Sequence, residues 1–194
     1  MMNARIRLFT GLVALALVAV GSGRDQTRMT PDEIVAALKP GQWVKVDGTT
    51  QSDSSIICKE LRILIGDFLD DDWSITAVVR KIDAENRQIQ IWRLPIKIAE
   101  DAEFESDEGS GFAGIADLQV GMFLEVGGTY LKDGTFISGE IDDKSEKLEE
   151  KPELENEVRA EGKVEKVDAV NHRFTLMGMT FKITEKTRSR SVIK

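Results

Sequence analysis

The stretches "VRKIDAENRQIQI" and "VEKVDAVNHRFTL" stand 85 positions apart in one chain of 194 residues and are nearly the same. Val79 lies over Val164, Lys81 over Lys166, Asp83 over Asp168, Ala84 over Ala169 and Asn86 over Asn171. Lys97, Ile98 and Glu100 lie over Lys182, Ile183 and Glu185, with no gap between 79 and 102. Ordinary residue frequencies give roughly one or two such matches by chance. A second echo runs at a shift of 80, placing Gly41 over Gly121, Val46 over Val126, Gly48-Thr49 over Gly128-Thr129, Asp53 over Asp133 and Glu60 over Glu140. The middle of the chain, about 73–142, holds both kinds of half. The N-terminal piece repeats only its second half, and the C-terminal piece only its first. Any fold has to accommodate one whole unit and two half units.

The whole unit has a strand pattern. "SITAVVRKID" and "RQIQIWR" are rich in β-branched residues and flank the turn signal "AEN". Ile89 and Ile91 alternate with Gln88, Gln90 and Trp92, so one face is buried. "LPIKIA" makes a third strand, with Pro95 suited to a strand start or an edge. "GFAGIADL" makes a short helix or turn. "GMFLEVGGTYLKDGTFISGEID" makes a hairpin turning at Asp133-Gly134. Five strands with a helix between the third and fourth is the plan of an OB-type barrel.

"VVRKIDAENRQIQIWRLPIKIAEDAEF" followed by "IADLQVGMFLEVGGTYLKDGTFISGEID" resembles the bacterial family of domains of unknown function numbered 5666. The resemblance covers one copy at about 73–142 and half-copies at about 31–66 and 158–188. It implies an exported bacterial protein carrying OB-like β-barrel repeats. It carries no catalytic or binding residues onto this chain. Asp53-Ser54 departs from the tighter Asp133-Gly134 turn.

The expected fold is all-β, with two small five-stranded OB-like barrels. Residues 73–142 make the first. Residues 158–190 supply strands one to three of the second, and residues 31–66 supply its helix and strands four and five. Each half alone leaves open sheet edges and an uncovered apolar face. Exchange of halves between two chains, or a truncated repeat, are the rival readings. Residues 143–157, "DDKSEKLEEKPELENE" in context, are dense in charge, and Pro152 interrupts any helix; the expectation is a solvated acidic linker.

Residues 1–23 have the order of a secretory signal: Arg5 and Arg7, an apolar run from Leu8 to Val20, then Gly21-Ser22-Gly23. The run is shorter than the about 20 apolar residues of a membrane span. The expected location is periplasmic or secreted, without stable membrane insertion once the signal is cleaved. The net charge of -8 repels phosphate backbones, so nucleic acid is not an expected partner. The basic "KTRSRSVIK" is the one local exception, expected to be a solvated end or a small patch.

Candidate chemistry is sparse. One cysteine, Cys58, cannot form an internal disulfide, and one histidine, His172, cannot build a His-rich metal site. Cys58 stands where the copy has Ser138, and His172 stands in a turn where the copy has Arg87. Asp70-Asp71-Asp72 lacks the alternating spacing of a calcium loop and is expected to be a connector. Trp43 aligns with Phe123, which points to a core or inter-barrel contact. Trp92 is expected to face outward on the second strand, where OB folds stack ligands. Glu103 and Glu105 are expected in a flexible acidic loop after the third strand. These three are the possible ligand contacts. No catalytic, cofactor or metal residues are assigned, and no enzyme is expected. The expected function is an exported, non-catalytic binding or interaction module whose partner is a protein, a glycan or a cation. The alternative is a structural or assembly protein of the bacterial envelope.

Overall fold

The computed structural model describes residues 29–106 and 112–193. The signal-like segment therefore lies outside the described residues. Helix α1 (Pro31–Ala37) comes first, followed by strands β1 (Trp43–Thr50), β2 (Ile56–Ile65), β3 (Trp73–Asp83), β4 (Gln88–Ile91) and β5 (Leu94–Ser106). A 3-10 turn (Ile115–Asp117) leads to β6 (Phe123–Tyr130) and β7 (Phe136–Asp143). Helix α2 (Ser145–Glu150) and a 3-10 helix (Pro152–Asn156) lead to β8 (Glu157–Lys163), β9 (Lys166–Asp168), β10 (Arg173–Leu176), β11 (Met179–Lys182) and β12 (Arg188–Ile193).

The middle of the chain is a closed five-stranded barrel. β3 pairs β4, β4 pairs β5, β5 runs parallel to β7, β7 pairs β6, and β6 returns to β3. Its interior is apolar and dense: Ile75, Val79, Ile91, Ile96, Leu124, Val126, Phe136 and Ile141 are all fully buried. Closure leaves every interior strand paired on both sides.

The terminal segments take the same pairings within one chain. β8 pairs β1, β1 pairs β2, β2 runs parallel to β11, β11 pairs β10, and β10 pairs β9. β9 follows β8 after Val164 and Glu165, whose N–H groups donate to Gln42 O and Thr175 O. The hydrogen bonds repeat along with the strands. Val79 exchanges backbone bonds with Gly121 and Met122, and Val164 exchanges the equivalent bonds with Gly41 and Gln42.

The recurring residues each do a local task. Asp83 accepts the backbone N–H of Asn86 at 3.1 Å and its side-chain amide at 2.8 Å; Asp168 accepts the same two bonds from Asn171 at the same distances. The following residues, Arg87 and His172, both turn through left-handed backbone, with φ of 51° and 48°. Gly48 and Gly128 sit at β-bulges in the two hairpins, where a side chain has no room. A Cβ on Gly128 would stand 2.1 Å from the carbonyl oxygen of Ile137.

Several expectations need correcting. Glu103 and Glu105 are not in a loop: β5 bulges after Ile98 and then pairs β7 again, setting Glu103 beside Glu140 and Glu105 beside Asp142. "KTRSRSVIK" is not a solvated tail, because its backbone forms β12 along β2, from Arg188 beside Glu60 onward. The acidic linker is not simply solvated. Helix α2 stops before Pro152, which opens the 3-10 helix, and Leu154 is buried against Val78 and Phe123. Asp53-Ser54 turns as Asp133-Gly134 does, since Ser54 adopts φ 69° and Gly134 φ 88°.

The two sets of strands join edge to edge. β3 and β8 pair antiparallel, with Ser74 beside Glu161, Ile75 beside Ala160 and Thr76 beside Arg159. Ile75 and Ala160 are repeat equivalents, so a local two-fold axis passes between them. The result is one continuous 12-stranded sheet among the described residues.

Candidate functional site

The β3–β8 junction creates a groove that neither repeat has alone. Its volume is about 480 Å³, and it is lined by Trp73, Tyr130, the 131–134 turn and Lys163–Glu165. Trp73 starts β3 and lies over Gly162 of β8, where a Cβ would stand 2.2 Å from the indole. Only glycine permits this approach. Four rings run in a row: Phe68 stacks on Trp43 at 4.7 Å, Trp43 meets Trp73 at 5.3 Å, and Trp73 meets Tyr130 at 5.3 Å. Such spacings are those of attractive aromatic pairs.

Charge of both signs borders the rings. The Lys163 ammonium lies 5.4 Å from the centre of the Trp43 ring and 3.4 Å from Asp70. The Glu165 carboxylate accepts the Gly178 N–H, with oxygens at 3.1 and 3.2 Å. Burial, then the charge of Glu165 and a hydrogen bond to it, push the Tyr130 phenol up to about 12. It therefore stays a neutral donor across the physiological range. Asp133 accepts the Thr135 N–H at 3.0 Å, and that bonding holds its carboxyl below the usual carboxylate range. The groove thus offers the half-buried Tyr130 ring and an edge of the buried Trp73, with ammonium and carboxylate groups around them.

The residues singled out from sequence lie elsewhere. Trp92 does not face outward on a strand: it is the first residue of the two-residue turn joining β4 to β5, with φ 52°. It is half-buried against the core, and the Arg93 guanidinium sits 5.9 Å from its ring centre. Glu103 and Glu105 lie at the far end of β5, so the three do not form one site. Trp43 is buried, and its repeat equivalent Phe123 packs under the linker. Cys58 is fully buried; its thiol donates to the Glu60 carbonyl at 3.6 Å, and burial raises it far above the ordinary thiol value. His172 Nε2 lies 2.7 Å from Asp32 Oδ1, linking the C-terminal turn to helix α1. Asp72 accepts the Leu69 N–H at 2.7 Å within its connector. Among the described residues, no group of three or more His, Cys, Asp or Glu side chains is arranged to hold a metal. Among them, too, no helix is long and apolar enough to cross a membrane.

The family model for the domain of unknown function DUF5666 matches residues 23–62 and 76–142, more than half of the chain. The chain belongs to the DUF5666 family. Its first matched segment takes in α1, β1 and most of β2; its second takes in most of the closed barrel. No curated protein and no solved structure matches this DUF5666 chain. The groove takes Tyr130 and the 131–134 turn from the second matched segment, while Trp73 and Lys163–Glu165 lie outside both.

Proposed function

We propose that this DUF5666 chain is an exported, non-catalytic binding module of the bacterial envelope or its surroundings, in which the two terminal halves act as a second OB-like barrel. The ligand site in this reading is the inter-repeat groove. The observation that carries it is the placement of Trp73 and Tyr130 beside Lys163 and Glu165 on strands from different repeats. A concave site with an aromatic edge and a few convergent polar groups suits a small polar ligand. The mixed charges, Lys132 and Lys163 among Asp133, Glu165 and the Asp70 that pairs with Lys163, favour an uncharged ligand over an anion. A glycan fragment fits best: its C–H face lies on the aromatic edge and its hydroxyls meet the flanking groups. Export rests on Arg5, Arg7 and the apolar run from Leu8 to Val20.

The test is calorimetric titration of residues 24–194 with soluble envelope oligosaccharides. Binding that Tyr130→Ala or Lys163→Ala weakens at least tenfold, and that Trp92→Ala leaves intact, supports the groove. Binding insensitive to both groove variants removes it. Cell fractionation with N-terminal sequencing tests export: a mature N-terminus near Ser22 is expected, and a cytoplasmic full-length chain refutes it.

A further inference from the structure

The outer face of the sheet carries a charge pattern that the repeat symmetry makes easy to read. Eight strands cross this face in the order β5, β7, β6, β3, β8, β1, β2, β12. Inward residues such as Leu124, Val126 and Ile141 are buried, so their neighbours Glu125, Glu140 and Asp142 point out. Two cross-strand rows result. One runs from Glu103 and Glu140 through Ser74 and Glu161 to Lys45, Arg62 and Arg190. The local two-fold axis turns it onto the other, which runs from Glu105 and Asp142 through Thr76 and Arg159 to Glu60 and Arg188.

The backbone obeys that symmetry and the charges oppose it. On the half built from residues 74–142, Glu103, Glu105, Glu125, Glu140 and Asp142 are all acidic. At the equivalent places on the other half, Arg188, Arg190, Lys45 and Arg62 replace four of these five, and Arg159 replaces Ser74. On that basic half Arg62 reaches Glu60 at 2.8 Å and Asp47 at 3.3 Å, Arg159 reaches Asp47 at 3.1 Å, Lys45 reaches Glu161 at 3.1 Å, and Arg190 and Arg188 share Glu60 with Arg62 at 3.1 and 3.5 Å. Five cations there meet three carboxylates. On the acidic half Asp142 pairs with Lys144, while Glu103, Glu105, Glu125 and Glu140 have no ion-pair partner among the described residues. Asp142 Oδ1 is buried with no hydrogen-bond partner among them either. Unpaired like charges on adjacent strands are destabilising. At the centre of the face Thr76 and Glu161 are buried and Leu154 of the linker packs on Val78 and Phe123, while Glu103, Glu105, Arg188 and Arg190 stand exposed at the two margins.

We propose that this face docks on the same face of a second copy of the chain, the acidic margin of each against the basic margin of the other. A two-fold axis lying between the faces and running along the strands brings the opposite margins together in both places at once. Such an isologous contact satisfies both halves with one partner, which a partner of a single sign does not. It is electrostatic and so weakens with salt. It lies on a different surface from the inter-repeat groove and does not depend on what the groove binds.

Sedimentation of residues 24–194 at about 50 mM and about 500 mM salt reads the contact directly. A dimer at low salt that dissociates at least tenfold more readily at high salt is expected. Glu103→Lys with Glu105→Lys makes both margins basic, and Arg188→Glu with Arg190→Glu makes both acidic. Each double variant alone is expected to be monomeric, and an equimolar mixture of the two to recover a dimer. Circular dichroism of each variant checks folding, and the single-site pair Glu103→Lys mixed with Arg190→Glu, which face each other across the axis, gives a milder form of the same test. A wild-type chain that stays monomeric at low salt overturns the proposal, as does a dimer indifferent to both double variants. A monomer that instead binds polylysine through Glu103 and Glu105 assigns the face to a cationic partner and overturns it too.

Discussion

The complete unit, residues 73–142, and the unit divided between residues 31–66 and 158–193 reach the same strand pairings by different routes. In the first, one unbroken run of strands, β3 to β7, supplies every barrel neighbour, although β5 pairs β7 and β3 pairs β6 across an intervening strand. In the second, β1 must find β8, and β2 must find β11 and β12, more than a hundred residues away. The comparison separates what the local sequence specifies from what connectivity specifies. Turn and bulge chemistry is identical in both: Asp83 and Asp168 hold Asn86 and Asn171, and Gly48 and Gly128 sit at the bulges. The differences lie in the covering segments and the outer surface. Leu154 of the long linker covers Phe123 and Val78, whereas Phe68 of a shorter connector covers Trp43.

Cutting one unit and not the other breaks the comparison most severely. Deleting residues 158–194 removes every partner of β2 except β1, so residues 31–66 should lose protection in limited proteolysis while 73–142 keeps it. Equal protection of both would mean that the N-terminal half is stable without the C-terminal one. Next in size are the bulge glycines. Gly128→Ala forces a Cβ against the Ile137 carbonyl, a backbone group with no freedom to yield, and should cost about 3 kcal/mol in denaturant titration. Gly48→Ala meets the Ile56 methyl at 2.5 Å and the Ile57 carbonyl oxygen at 2.9 Å, and should cost less because its backbone contact is looser than the 2.1 Å at Gly128.

Acid sharpens the contrast further. Asp53 is held well below the usual carboxylate range, first by Lys182 of β11 and then by Ser55, so it ties the divided unit together. Asp133 is held down by bonds within its own hairpin, chiefly from Thr135. A lowered folded-state value means the stabilisation is complete above about pH 4 and is lost as pH falls through that value. Asp53→Asn should therefore flatten the acid limb of the stability profile more than Asp133→Asn, read from denaturation midpoints between about pH 7 and about pH 2. Equal flattening would deny Lys182 its part. The smallest effect belongs to Cys58→Ser. Ser138 already makes the equivalent bond, donating to the Glu140 carbonyl at 3.1 Å, so the melting temperature should move by only a few degrees.

The repeat was legible because the residues that recur are the ones with backbone duties. The groove was not, because Lys163 and Glu165 reach Trp73 and Tyr130 only through the β3–β8 pairing, which no local pattern encodes. Trp92 was misplaced because its alternation with Ile89 and Ile91 mimics a strand. The signal that finds the turn is the repeat itself, for Arg93 stands over Gly178 in the two-residue turn Met177-Gly178, where both residues have positive φ. Glu103 and Glu105 were drawn into a loop by Gly109-Ser110-Gly111, although Ala102 and Phe104 alternate with them and pack on the core. β12 left almost no trace, because of residues 188–191 only Ser191 matches its counterpart, Ser106. Its pairing is carried by backbone.

A protease site placed at Lys151, between α2 and the 3-10 helix, asks whether the two terminal halves form one unit within one chain. The cut protein is held in high salt, and Cys58, buried in the N-terminal half, is challenged with a thiol reagent. If the halves do form one unit, the fragments stay together as one copy of each and Cys58 remains unreactive. Fragments that separate on cutting, or a Cys58 that reacts at once, would contradict it.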